Sequence, residues 1–190
     1  NKSSGKMGVA LARRAYSRGA SVDLVFGPIK ADPPIGVNQH PVITAAEMRE
    51  KVLELAPGCD IVIKAAAVAD FSPETFMNSK IKKNGFDGTI KLKRNPDILK
   101  ELGSSKKDGQ VLVGFAAETS NPVENARSKL NAKNLDLIVL NDVTQPGAGF
   151  DCDTNIVKLI FRSGCETDLG LMTKDEVADR ILDECLAIKG

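Results

Sequence analysis

The 190-residue chain has one histidine, His40, one tyrosine, Tyr16, and no tryptophan. A lone imidazole leaves no Ser/His/Asp or Cys/His relay to assemble, and His40 reads as a surface or turn residue. Catalysis therefore falls to lysines, carboxylates, amides and backbone groups. The four cysteines, Cys59, Cys152, Cys165 and Cys185, form no C-x-x-C pair. That argues against a zinc site or a disulfide framework and matches the lone thiols of reduced intracellular proteins. No apolar run nears the roughly 18 residues of a membrane helix, and no charged start precedes an apolar signal segment, so the chain reads as soluble. Neither sign of charge is in excess: 26 Lys and Arg face 25 Asp and Glu, so no broad field draws the chain to nucleic acid or an acidic membrane. An anion site has to be built locally. There is no repeat, low-complexity tract or linker, and the length fits one domain. The chain opens at Asn1, without a methionine, in what reads as a loop entering a helix, and the expectation is that the polypeptide continues upstream.

What is present alternates between two periods. Residues 5–18 carry Met7, Val9, Leu11, Ala12, Ala15 and Tyr16 at helical spacing, closed by Gly19 and followed by a β-rich run at residues 21–26. Thr44 and Glu47 form a capping box ahead of a helix that Gly58 ends, and the strand Ile61, Val62, Ile63 follows. Residues 70–88, with Ser72-Pro73, Gly85 and Gly88 as breakers, read as a loop. Beyond it lie a strand at residues 89–93, a short helix from Pro96 capped by Asn95, and the apolar strand at residues 111–115. A helix at residues 122–133 begins with Pro122 in a permitted first-turn position. The strand at residues 135–140, a Gly/Pro turn at 145–149, an alternating strand at 155–161 and a helix boxed by Thr173 and Glu176 complete the chain. Apolar strands alternating with amphipathic helices predict a Rossmann-like α/β fold, its mostly parallel sheet covered by helices on both faces. The alternating late strand reads as an antiparallel edge or a ribbon for a subunit contact.

In such folds the site lies where loops leave the carboxyl ends of strands, which selects residues 1–8, 65–70, 114–119 and 140–143. The first of these, Asn-Lys-Ser-Ser-Gly-Lys-Met-Gly, is a small, hydroxylic helix entry suited either to an anion or to simple capping by Ser3 or Ser4. It is not a Walker loop, because Met7 stands where Ser or Thr belongs. Asp70 ends an alanine-rich exit from a strand, where a carboxylate holds Mg2+, meets a ribose hydroxyl, or caps the turn before Ser72-Pro73. Lys80, Lys82 and Lys83 form either a solvated charge run or a cationic flap for phosphates. Phe115, at a strand end, either packs in the core or stacks on a base. Lys129 and Lys133, four apart, share a helix face suited to solvation or to gripping phosphate and base.

Taken in order, Asn-x-Ser-Ser-Gly-Lys-Met-Gly, Ala-Ala-Val-Ala-Asp, Lys-Ile-Lys-Lys, Asn-Pro-Asp-Ile, Gly-Phe-Ala-Ala-Glu-Thr and Lys-Asn-Leu-Asp-Leu-Ile resemble the bacterial phosphopantothenoylcysteine synthetases. The resemblance spans essentially all 190 residues and implies one synthetase domain over 1–190, lacking upstream of Asn1 the family's first strand and glycine-rich loop. It implies a cytoplasmic ligase of coenzyme A biosynthesis that uses CTP and Mg2+ to join 4'-phosphopantothenate to L-cysteine, often fused behind a decarboxylase domain. The implied catalytic residues are Asn1, which supports conversion of the acyl-cytidylate by cysteine, and Lys80, which forms that intermediate. Asp70 is implied beside the triphosphate and its metal ion, and Ala66, Pro96, Asp97, Ile98, Leu99, Phe115, Lys129 and Lys133 at nucleotide-binding positions. Eukaryotic relatives prefer ATP; the lysine pair and the six blocks favour the bacterial CTP type. The late alternating strand and the resemblance together predict a homodimer.

Two other classes compete. A nicotinamide-dependent oxidoreductase needs a G-x-G-x-x-G turn with an acidic residue about 20 residues on, and neither is visible. A non-catalytic nucleotide-sensing module would bind a nucleotide without turning it over.

Overall fold

The computed structural model of the chain describes residues 3–75, 79, 88–117, 120–141 and 152–190. Most helix starts follow the capping chemistry written in the sequence. Helix α1 (Lys6–Ser17) begins after Gly5, which takes φ 78° and whose Cβ, if it had one, would stand 2.6 Å from Ile29. Helix α2 (Ala45–Leu55) has the full box: Thr44 Oγ1 accepts the Glu47 N–H at 3.1 Å and the Glu47 carboxylate accepts the Thr44 N–H. It ends at Leu55 and tightens into a 3-10 turn, Ala56–Gly58, that contains Pro57. Helix α4 (Pro122–Ala132) starts with Pro122 as expected, and α5 (Lys174–Lys189) carries the box of Thr173 and Glu176.

One cap is reassigned. Helix α3 (Ile98–Ser104) is capped by Asp97, whose carboxylate accepts the Lys100 N–H at 3.1 Å, and not by Asn95. A capping oxygen has to reach the second or third helical N–H, and Asp97 stands three residues before Lys100. Asn95 lies too far upstream and serves a different purpose, described below.

The strands are β1 (Asp23–Phe26), β2 (Asn38–Pro41), β3 (Ile61–Lys64), β4 (Phe71–Pro73), β5 (Leu92–Arg94), β6 (Val111–Ala117), β7 (Leu137–Asn141), β8 (Thr154–Phe161) and β9 (Glu166–Thr173). The central sheet has the order β3-β6-β7-β8-β9, parallel across β3, β6 and β7 and antiparallel from β7 to β9. This is the expected α/β class. Side chains alternate across β6 and β7 and feed two cores. Leu112, Ile138 and Leu140 pack under α2, α3 and α4, whereas Val113, Leu137 and Val139 pack under α1 and α5.

Several elements differ from expectation. The strand at residues 154–161 is an interior strand, paired on both sides, and β9 is the outer one. The edge offered to a partner therefore belongs to β9, which the periodicity does not announce, because only Leu169 of its eight residues is buried and Gly170 breaks the pattern. Strand β2, short and polar, was equally silent; it pairs in parallel with β1 as a two-stranded sheet. The segment read as a loop from Asp70 opens with strand β4, which pairs antiparallel with β5. The strand foreseen at 89–93 starts later, at Leu92.

Strands β3, β6 and β7 run the same way, so residues 65–70, Ala117 and Asn141 share one end of the sheet. Strand β8 is antiparallel to β7 and starts at that end. Lys6 is tied to Asp153, just before β8, at 2.6 Å, and Met7 lies against Asn155, so the entry to α1 sits there as well.

Candidate functional site

The carboxyl end of the parallel strands gathers a compact set of charges. Lys64, the last residue of β3, donates from Nζ to the Ala66 carbonyl at 3.1 Å. Burial pushes its ammonium below the ordinary lysine value, the charge of Lys133 acts the same way, and Asp97 and Asp70 oppose both. Lys133 Nζ lies 2.8 Å from the Asp97 carboxylate. Burial acts to raise Asp97, but the Lys133 hydrogen bond, the Lys100 N–H and the nearby cations hold it below the usual carboxylate value. Lys64, Asp70, Asp97 and Lys133 thus share one electrostatic neighbourhood. Sequence reasoning passed over Lys64; its signal was a lysine ending the apolar run Ile61-Val62-Ile63 directly before the alanine-rich exit.

The other expected positions distribute as follows. Ala66 and Asp70 are exposed on the loop after β3, and Pro96 and Asp97 are exposed at the entry to α3. Ile98 and Leu99 are core residues, 3% and 5% exposed, so their side chains face inward and only the backbone of that turn is available to a ligand. Lys129 is exposed on α4, and Lys133 stands one residue past the last turn rather than on the regular helix face. Phe115 is half-buried against the α1/α5 core, across the sheet from α3 and α4. Asn1, Lys80, Lys82, Lys83, Glu118, Thr119 and Val143 lie outside the described residues.

At the α1 entry, the buried Ser4 accepts the N–H groups of Lys30 and Ala31 at its carbonyl, each at 3.3 Å, and the Lys6 N–H at its hydroxyl at 3.4 Å. Asn141, opposite Ala117 at the end of β7, is 7% exposed, and among the described residues its Oδ1 has no hydrogen-bond partner. By strand alternation its side chain leaves on the face of Phe115 and α1.

Among the described residues no group of three or more His, Cys, Asp or Glu could hold a metal ion. That donor set excludes an all-protein cage there. It fits Mg2+ brought in on phosphates, which keeps much of its water and needs one or two carboxylates, and Asp70 offers one. A shallow hollow of about 520 Å³ is lined by Leu53, Pro57, Lys100, Glu101, Ser104 and Ser105, between α2 and α3. It contains none of the expected site residues.

The family described as the DNA/pantothenate metabolism flavoprotein C-terminal domain matches residues 1–188. The chain belongs to this family. It is 53% identical, over 99% of its own length and 46% of the relative's, to the coenzyme A biosynthesis bifunctional protein CoaBC of Bacillus subtilis strain 168. A second relative, from an unknown prokaryotic organism and named a cysteine/cysteine sulfinic acid decarboxylase, is 47% identical over 99% of the chain and 53% of its own length. The crystal structure of the C-terminal domain of a coenzyme A biosynthesis bifunctional protein CoaBC superposes with a TM-score of 0.81 at 42% identity, covering 97% of this chain and 82% of that one. The chain therefore spans about half the length of the curated relatives it matches, and the solved domain gives its fold at nearly full length. Among the described residues no helix is long and apolar enough to cross a membrane.

Proposed function

We propose that this domain is a cytoplasmic phosphopantothenate-cysteine ligase of coenzyme A biosynthesis. The phosphopantothenate carboxylate attacks the α-phosphorus of CTP and pyrophosphate leaves; the cysteine amine then attacks the acyl-cytidylate carbonyl and CMP leaves. The observation that carries the reading is the match along 99% of the chain, at 53% identity, to a protein named for coenzyme A biosynthesis.

The charges fit what the first step requires. Negative charge develops on the α-phosphate and the leaving pyrophosphate, and fixed cations stabilise it without reorganising. Lys80 is the cation assigned to that transition state, and Asp70 would hold a Mg2+ ion bound to the triphosphate, which would add further positive charge there. Lys133 and Lys129 neutralise the remaining phosphate charge. Asp97 holds Lys133 in place through their 2.8 Å ion pair, and Lys64, half-buried beside them, has its ammonium held below the ordinary value by burial, so a bound anion would favour its charged form. The backbone of residues 96–99 recognises the cytidine. For the second step the Asn1 amide donates to the oxyanion formed when cysteine attacks. The protein works as a homodimer and follows a decarboxylase domain in the longer polypeptide.

The test is pyrophosphate release by the full-length protein with CTP or ATP, with and without phosphopantothenate. Release that needs phosphopantothenate and prefers CTP supports the reading. Release that ignores phosphopantothenate, or none at all, rejects it.

A further inference from the structure

Asn95 connects the two loops that carry the expected nucleotide contacts. Its Nδ2 donates to the Ala69 carbonyl at 2.9 Å, its Oδ1 accepts the Ser72 hydroxyl at 2.8 Å, and its backbone N–H donates to the Asp70 carbonyl at 2.8 Å. Three bonds from one residue therefore bracket Asp70, at 69, 70 and 72. On the other side Asn95 precedes Pro96, which restricts it to extended backbone, and then Asp97, which caps α3 and pairs with Lys133. A stiff path runs from the Asp70 loop through Asn95 to the Asp97 and Lys133 pair.

The β4/β5 ribbon below this bracket is weak by itself. Its strands contribute three pairings, Phe71 with Arg94, Ser72 with Lys93 and Pro73 with Leu92, and Phe71 is half exposed under the Arg94 guanidinium, 5.7 Å from the ring centroid. Pro73 brings no N–H to the ladder. A ribbon this short and wet does not fix its own register, so the carboxamide has to do it. Only a side chain with both a donor and an acceptor can make the two bonds at once, which explains an asparagine here better than capping does.

We propose that Asn95, with Ser72, is a positioning residue for nucleotide binding: it holds the Asp70 backbone at a fixed distance from the α3 entry. The functional half of this inference rests on the ligase reading above; the structural half does not.

Two measurements on the full-length protein separate them. Hydrogen exchange reads the bracket directly: Asn95→Ala and Ser72→Ala should speed exchange in peptides covering residues 69–75 and 91–97 while leaving α5 unchanged. Steady-state kinetics read the function. Asn95→Ala should raise the KM for CTP about tenfold and Ser72→Ala about threefold, as expected for losing two and one side-chain hydrogen bonds. Asn95→Asp, which keeps the acceptor and loses the donor, should fall near Ser72→Ala, and Ser72→Thr should keep the wild-type value. The KM for cysteine should stay within twofold throughout. Unchanged exchange at 69–75 overturns the bracket. Faster exchange with an unchanged CTP KM, or an equal rise in the CTP and cysteine KM values, overturns the positioning role. If the wild type releases no pyrophosphate, the ligase reading fails, and the exchange data still decide the bracket.

Discussion

Gly103 allows α3 to touch the turn that presents Lys133, and Gly103→Ala tests how tightly. A Cβ at that position would stand 1.8 Å from the Lys133 carbonyl oxygen and 2.7 Å from its carbon, both backbone atoms that no rotamer change can move. Restoring ordinary contact requires the helix and the turn to part by well over an ångström. The Asn134 amide that donates to the Gly103 carbonyl at 2.8 Å would be lost, and Asn134 already sits at φ 53° to make it. Overpacking of a close-packed site costs about 1–3 kcal/mol and the lost hydrogen bond about 1 kcal/mol. Against this, alanine gains up to about 1 kcal/mol over glycine in a helix. The net expectation is about 2 kcal/mol of destabilisation, which for a chain of this size lowers the melting temperature by about 4–8 °C. Gly8→Ala is the control, because it lies inside α1 with nothing within 4 Å of its Cβ position, so it should melt at or above the wild type. Thermal and urea unfolding followed by circular dichroism measure both. If Gly103→Ala unfolds together with Gly8→Ala, the close approach of α3 to the turn after α4 is not real.

Three further outcomes follow from the site and its surroundings. In single-turnover quench experiments on the full-length protein, Lys80→Gln should form no acyl-cytidylate, whereas Asn1→Asp should accumulate it, since the added carboxylate repels the oxyanion of the second step; the reverse pattern rejects the assignment of roles. Burial pushes the Cys185 thiol up to about 12, so native protein treated with iodoacetamide near pH 8 should leave Cys185 unlabelled while the exposed Cys165 reacts; early labelling of Cys185, read by mass spectrometry, contradicts the packing of α5. Asp97 is held below its unfolded value, so its contribution to stability is complete above that value and is lost as pH falls through the folded one. Lys133→Met should therefore flatten the loss of stability on the acid side of about pH 4, and an unchanged acid limb means the pair contributes nothing.

The parts of the fold that were legible are those where one physical signal dominates. Thr44 with Glu47 and Thr173 with Glu176 announce helix starts because a capping box satisfies two backbone donors at once. Strands β6 and β7 are apolar at nearly every position because helices cover both faces. Strand β9 was not legible, since an outer strand wet on one face keeps only Leu169 buried, and its absence from the reading made β8 seem an edge. At the site, the strand ends that gather at one edge of the sheet were readable from the topology rule, but the side-chain partners there were not. Asn95 and Asp97 are each good helix caps by type, and only the geometry shows that Asp97 caps while Asn95 bridges. Lys64 was passed over because the Lys133 and Asp97 charges beside it are far away in the sequence.

The alternation of side chains along β6 divides the site in two. Gly114 and Ala116 face the α3/α4 side, and a Cβ on Gly114 would come within 2.8 Å of both Leu99 and Leu135, so this face is kept small to let α3 approach the strand. Its approach brings the Asp97 cap and the Lys133 turn to the strand end, and with them the charges suited to a triphosphate. Phe115 faces the other way, toward α1, and Asn141 one strand over leaves on that same face. The two faces thus offer different chemistry at one sheet edge: paired cations and a metal-ready carboxylate on one side, an aromatic ring, a helix entry and a buried amide on the other. On the proposed ligase reading, activating a carboxylate with a nucleotide and passing it to an amine would call on both kinds of surface within reach of one acyl group. The carboxyl edge of a parallel sheet supplies them because successive residues of the same strand necessarily point to opposite sides.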